Sequence, residues 1–127
     1  MARPLPLPSP LTAPYWDACR RGELALQRCG GCRGFVHFPE AECPFCGDSN
    51  LAYEVVQGKG AVHTFTVVHR AFVPGLAPPY TVAWIDLDAG ARVFGGVLGE
   101  TRIGGRVDVT FRDVEGFGPM PYWRPDE

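Results

Sequence analysis

Four cysteines stand in two Cys-x-x-Cys turns, Cys29 with Cys32 and Cys43 with Cys46. A two-residue gap lets both thiolates of one turn reach the same ion, so two such turns ten residues apart supply the four soft ligands of a tetrahedral zinc site. With every position filled by protein, none is left for a reactive water, and the expected role is structural rather than hydrolytic. Gly30, Gly31 and Gly47 ease the turns and bring backbone N–H groups toward the sulfurs. Two alternatives stay open on the residues alone: a fold that survives without metal, and a rubredoxin-type iron site suited to an electron carrier.

The remaining reactive side chains make a poor catalytic set. Cys19 has no general base beside it in sequence, and reads as a small apolar residue packed under a helix. His37, His63 and His69 are scattered, although His63 and His69, six apart in one extended run, are expected on the same face. There is no Gly-rich loop ending in Lys-Ser/Thr, no Gly-x-Ser-x-Gly elbow and no close carboxylate pair in a plausible cleft. A self-contained enzyme is not expected.

The elements that must hold these residues are mostly strands. The chain has 127 residues, with 16 glycines and 13 prolines, which disfavours an all-helical fold. Residues 1–10 alternate proline with small or apolar side chains, as an extended arm does. Thr12 is placed to cap a short helix carrying Tyr15 and Trp16, with Pro14 in its first turn and Gly22 as its stop. After the cysteine turns, β-type runs cover 51–57, 60–69, 80–87, 91–98 and 107–114, with turn signals at Asp88-Ala89-Gly90 and Ile103-Gly104-Gly105-Arg106. No repeat of solenoid or propeller period is present. The fold predicted is mainly β: an N-terminal arm and helix (1–22), a rubredoxin-like zinc ribbon (23–50) and an OB-fold β-barrel with a C-terminal tail (51–127).

No apolar run approaches the roughly 18–20 residues that span a bilayer, and the first residues lack the apolar stretch of a secretory signal. Five cysteines without export features suit reduced thiols and metal, so a cytoplasmic location is expected. The formal charge is −2, and −4 once four thiolates and one zinc ion are counted (−2 − 4 + 2). Ribbon and barrel modules both occur in nucleic-acid binders, but the aromatics Phe65, Tyr80, Trp84, Phe94 and Phe111 have only Arg70, Arg92 and Arg112 near them, too few for a basic footprint.

The ordered series Tyr15-Trp16, Gly22-Glu23-Leu24, Leu26-Gln27-Arg28-Cys29-x-x-Cys32, Phe38-Pro39, Cys43-Pro44-x-Cys46-Gly47 and Gly58-x-Gly60-x-Val62-x-x-Phe65-Thr66-Val67-Val68-His69-Arg70 resembles the zinc-ribbon plus OB-fold family catalogued as domain of unknown function 35. The resemblance continues through Val82-Ala83-x-Ile85-Asp86-Leu87 and Ile103-Gly104-x-x-Val107-x-Val109-x-Phe111, departing at Pro39-Glu40-Ala41, where a second proline is usual. Members of this family look like accessory subunits of thiolase-superfamily enzymes. Some bridge an acetoacetyl-CoA thiolase and a hydroxymethylglutaryl-CoA synthase, and others pair with an aldolase and a hydratase in steroid side-chain degradation. The resemblance therefore implies a hetero-oligomeric, non-catalytic partner that helps complete an acyl-CoA site of a thiolase-like aldolase or condensing enzyme. The runner-up readings are a nucleic-acid-binding module and a free-standing acyl-CoA-binding protein.

Physical reasoning divides the labour. Leu5, Leu7, Leu11, Tyr15 and Trp16 form more apolar surface than a lone module needs, which points to docking of the helix on a partner. The stretch Phe117 to Arg124, including Met120 to Trp123, reads equally as a tail lining a partner's cleft or as a last barrel strand. For acyl-CoA, the expected contacts are Arg70 for phosphate, with His69 and Phe72 beside it at the start of a long Pro- and Gly-rich loop.

Overall fold

The computed structural model describes residues 5–126; the part of the arm formed by residues 1–4, and residue 127, lie outside the described residues. The elements are α1 (Ala13–Arg20), β1 (Leu24–Cys29), β2 (Phe35–Val36), β3 (Leu51–Val56), β4 (Lys59–Val68), β5 (Tyr80–Leu87), β6 (Arg92–Val97), β7 (Arg106–Val114) and β8 (Gly118–Pro125). They form a three-stranded sheet in the order β2-β1-β3 and a closed barrel in the order β4-β5-β6-β8-β7. This is the mainly β, ribbon-and-barrel architecture expected from the runs and turns.

The helix starts differently from the expectation. Thr12 stands at the N-cap but makes no side-chain bond into the first turn. Its hydroxyl instead accepts from the Ser9 N–H at 2.9 Å, while Ser9 Oγ accepts from the Thr12 N–H at 3.2 Å, a reciprocal arrangement like a capping box set one turn upstream. Gly22, at φ +74°, ends the helix as expected.

Residues 51–56, the first β-run after the cysteines, pair along their whole length with β1, from Leu24 opposite Val56 to Cys29 opposite Leu51. The 50/51 boundary thus falls just before a strand whose hydrogen bonds run to the ribbon side. In the barrel, four contacts are antiparallel, whereas β6 meets β8 in parallel at Val97 and Trp123, where the Leu98 N–H donates to the Trp123 carbonyl at 2.7 Å. Closure of five strands, an odd number, imposes this one parallel seam.

One apolar core joins the two sheets. Val62, Ala83, Ile85, Leu87, Val93, Val97, Val107 and Trp123 fill the barrel, and Leu24 and Leu26 from β1 pack into the same cluster. The alternation along β5, with every second residue buried, is what places Ala83, Ile85 and Leu87 inside. Residues Gly118–Pro125 form a barrel strand, and Trp123, only 2% exposed, puts the largest side chain of the C-terminal stretch in the core. Cys19 is likewise buried against its own chain, and burial pushes its thiol up to about 11.

Candidate metal centre and aromatic groove

The four cysteine sulfurs lie within 4.8 Å of one another. Cys29 Sγ is 3.5 Å from Cys46 Sγ, and Cys32 Sγ is 3.7 Å from Cys43 Sγ. Thiolates at about 2.3 Å from a tetrahedral zinc ion stand about 3.8 Å apart, so the spacing fits zinc. The first knuckle directs the N–H groups of Gly31 and Cys32 at Cys29 Sγ, at 3.3 and 3.4 Å, and the second directs that of Phe45 at Cys43 Sγ at 3.4 Å. These donors spread the charge of bound thiolates.

The glycines do the work expected of them. Gly47 sits at φ +80°, and the Asp48 and Asn50 side chains lie where Cβ atoms on Gly31 and Gly30 would have to be. Arg28 braces the first knuckle: its Nε donates to the Arg33 carbonyl at 2.9 Å, its Nη1 pairs with Glu54 at 3.0 Å, and its guanidinium lies over the Phe35 ring.

Four thiols this close resist ionising together. The Cys32 N–H and the neighbouring sulfurs bring Cys29 down to about 7. At Cys46 the Asp48 N–H acts in the same direction, but the thiols of Cys29, Cys32 and Cys43, with desolvation, outweigh it and push the group up to about 12. A divalent cation at the centre removes that conflict by favouring the thiolate at every ligand. Among the described residues the apolar core at this end of the ribbon is the small cluster of Cys29, Val36 and Cys43, with Leu51 against it. The zinc is structural.

The other sequence-derived candidates do not gather at one point. His69, Arg70 and Phe72 are all exposed, with the Arg70 guanidinium 6.0 Å from the centre of the Phe72 ring. His63 and His69 do not share a face of β4 as expected. The register slips between Val62 and Thr64, so His63 is the extra residue of a bulge and alternation reverses beyond it. His63 instead meets Asp86, at 3.3 Å, beside the Arg92 ion pair.

A groove of about 510 Å³ opens between helix, ribbon and barrel. Tyr15 and Trp16 come from α1, His37 and Phe38 from the segment after β2, Phe94 and Gly96 from β6, and Met120 and Tyr122 from β8. The rings continue from one element to the next: Phe117 to Trp16 at 5.0 Å, Trp16 to Tyr15 at 4.8 Å, Tyr15 to His37 at 6.3 Å, His37 to Phe38 at 4.6 Å, Phe38 to Trp84 at 6.0 Å and Trp84 to Phe94 at 5.1 Å. Tyr15 and Trp16, expected to face a partner, are thus already half-buried against their own chain, and burial raises the Tyr15 phenol. Residues 69–79 reach the groove through Leu76, while Arg70, Phe72 and His69 are not among its lining. Sequence reading missed the groove because its walls come from five separate stretches; the only local sign was Gly95-Gly96 inside a strand.

Residues 16–52 match the ChsH2 rubredoxin-like zinc ribbon domain, and residues 53–112 match the ChsH2 C-terminal OB-fold domain. A DUF35 domain-containing scaffold protein of Methanocaldococcus jannaschii is 36% identical over 101 residues, covering 69% of this chain and 67% of that protein. The chain belongs to the DUF35 family. As a DUF35 chain it is also similar to the 3-oxo-4,17-pregnadiene-20-carboxyl-CoA hydratase alpha subunit of Mycobacterium tuberculosis, 32% identical over 121 residues, 91% of this chain and 38% of that protein. It spans about two-fifths of the length of the hydratase subunits it matches. Among solved structures, the Ltp2-ChsH2(DUF35) aldolase superposes with a TM-score of 0.83 at 27% identity, covering 95% of this chain and 98% of that chain.

Proposed function

We propose that the chain is a non-catalytic accessory subunit that binds a thiolase-superfamily enzyme, an aldolase or condensing enzyme, and helps complete its acyl-CoA site. The observation that carries this reading is the likeness to a chain of the Ltp2-ChsH2(DUF35) aldolase over almost the full length of both. The relatives described as hydratase alpha subunits support an acyl-CoA setting and a multi-subunit assembly. The arm supplies the partner contact through Leu5, Leu7 and Leu11, of which Leu7 is 91% exposed, together with the edges that Tyr15 and Trp16 leave uncovered. Met120 and Tyr122 contribute through the groove.

Arg70 receives a CoA phosphate, with Phe72 and His69 flanking it; the exposure of all three supports a contact made at the interface. We divide the chain into arm and helix (1–22), ribbon (23–50) and barrel (51–127), and place it in the cytoplasm, where free thiols persist. No helix among the described residues is long and apolar enough to cross a membrane.

The test is co-expression with a thiolase-like enzyme followed by size-exclusion chromatography. The expected result is a stable co-eluting complex whose carbon–carbon bond-cleaving or bond-forming activity neither component has alone. A chain that elutes by itself and shifts oligonucleotides with steep salt dependence would make it a nucleic-acid-binding module instead.

A further inference from the structure

The four ligand sulfurs are not equivalent. Cys29 and Cys43 are buried, and their sulfurs accept N–H groups from the knuckle backbone. Cys32 and Cys46, one from each knuckle, are exposed. The close approaches run across the site, from buried Cys29 to exposed Cys46 at 3.5 Å and from buried Cys43 to exposed Cys32 at 3.7 Å. Each knuckle thus sets one accessible sulfur against a sheltered sulfur of the other.

That pairing has a chemical meaning. Zinc holds its ligands as thiolates, and a thiolate open to solvent is the form that a peroxide attacks. The sulfenic acid so formed condenses with any second thiolate in reach, and here one stands in contact with it across the site. The fifth cysteine, Cys19, is only 1% exposed and is sheltered from the same attack.

We infer that the ribbon is a site of reversible oxidation by peroxides, in which exposed Cys46 and Cys32 are attacked and buried Cys29 and Cys43 resolve them. In the first step the exposed thiolate gives an electron pair to one peroxide oxygen, the O–O bond breaks, and with one proton the products are a sulfenic acid and water. In the second, the buried thiolate attacks that sulfur, the S–O bond breaks, and the departing hydroxide takes up a proton to become water. Each disulfide therefore uses one hydrogen peroxide and two protons, yields two waters, and draws its two electrons from the two thiolates. The ion's charge does not change; it is left without ligands and leaves. The cluster of Cys29, Val36, Cys43 and Leu51 is too small to hold the metal-bound arrangement afterwards, whereas the barrel keeps its own core. The inference concerns the chain by itself and does not depend on which enzyme it accompanies.

The test exposes the full-length zinc-loaded chain to hydrogen peroxide and follows released zinc with a metal-sensitive dye. Thiols are counted after denaturation, and disulfides are mapped by mass spectrometry. One zinc ion per chain should be released, and of five thiols only that of Cys19 should remain (5 − 4 = 1). Trypsin cuts after Arg28 and Arg33, so bonds across the site tether the Cys29-to-Arg33 peptide to the one bearing Cys43 and Cys46, and bonds within a knuckle leave the two separate. Fragmentation between Cys29 and Cys32 should then assign Cys29 to Cys46 and Cys32 to Cys43. Thiol reductant with added zinc should restore the metal.

The double variant Cys32→His with Cys46→His replaces both exposed thiolates by imidazole ligands, and it should keep its zinc under the same exposure. Should that variant bind no metal, Cys46→His alone should give the bond between Cys32 and Cys43 and leave Cys29 a free thiol. Retention of zinc by the unaltered chain would overturn the inference, as would disulfides confined within each knuckle or sulfinic acids in place of disulfides. Metal loss from the double variant at the unaltered chain's rate would show that the accessible sulfurs are not where attack begins, and would overturn it equally.

Discussion

The side-chain amide of Gln27 closes a ring with the backbone of Glu40, donating to its carbonyl at 3.0 Å and accepting from its N–H at 2.9 Å. Gln27 is 4% exposed, in the middle of β1, and it ties down the segment that carries His37 and Phe38 into the groove. Gln27→Leu would leave two backbone groups unsatisfied and should cost about 2–4 kcal/mol. Hydrogen exchange at residues 38–41 should rise by more than the global loss of stability explains; equal protection in both proteins would show that the segment is held by something else.

The Trp123 indole occupies the space beside Gly95 so fully that a Cβ there would stand 2.7 Å from Nε1. Gly95→Ala should destabilise the barrel by about 1–3 kcal/mol through overpacking. Trp123→Ala should cost about 3–5 kcal/mol, because a fully buried ring is removed. Denaturant midpoints for both and for the double variant provide the check: the two losses should fall clearly short of adding, since they share one contact.

One zinc ion per chain should be found by elemental analysis, and Cys43→Ser should lower that ratio sharply. Leu24 and Leu26 belong to the barrel's core, whereas the knuckles rest on the small separate cluster of Cys29, Val36, Cys43 and Leu51. Chelation should therefore release the knuckles, seen as new proteolytic cleavage after Arg28 or Arg33, while the near-ultraviolet signal of buried Trp123 persists. Loss of that signal at the same chelator concentration would show the two ends to be one cooperative unit.

The depressed value of His37 gives stability a pH dependence with a definite sign. The folded chain keeps the imidazole neutral down to about 4, and an unfolded chain protonates it near 6.5. Its contribution is complete above pH 6.5 and is lost as the pH falls toward 4, amounting to about 3 kcal/mol at most. Burial is the whole cause, so His37→Phe should flatten the pH slope of the denaturant midpoint across this window; an unchanged slope would show that the imidazole is not held neutral by the fold.

The metal site was legible because its geometry is local: two short spacings determine where four sulfurs can meet. The barrel strands were legible for the same reason, since alternation along Tyr80–Leu87 reports burial residue by residue. Long-range relations left weaker traces. Nothing in Leu51–Val56 tells whether it pairs with β1 or with a barrel strand, and a single inserted residue, His63, reverses the parity on which the two-histidine expectation rested. Gln27 could be read as an ordinary strand residue, because its partner lies thirteen positions away on a segment without periodic pattern.

The position of β8 between β6 and β7 also bears on synthesis. Until residues 118–125 have left the ribosome, both neighbouring strands show bare hydrogen-bonding edges and the barrel interior lacks its largest ring. The helix and ribbon sheet are translated earlier, so a nascent chain passes through a stage with finished knuckles above an open, sticky β-sheet. Pairing of β8 with both neighbours closes the barrel and ends that interval.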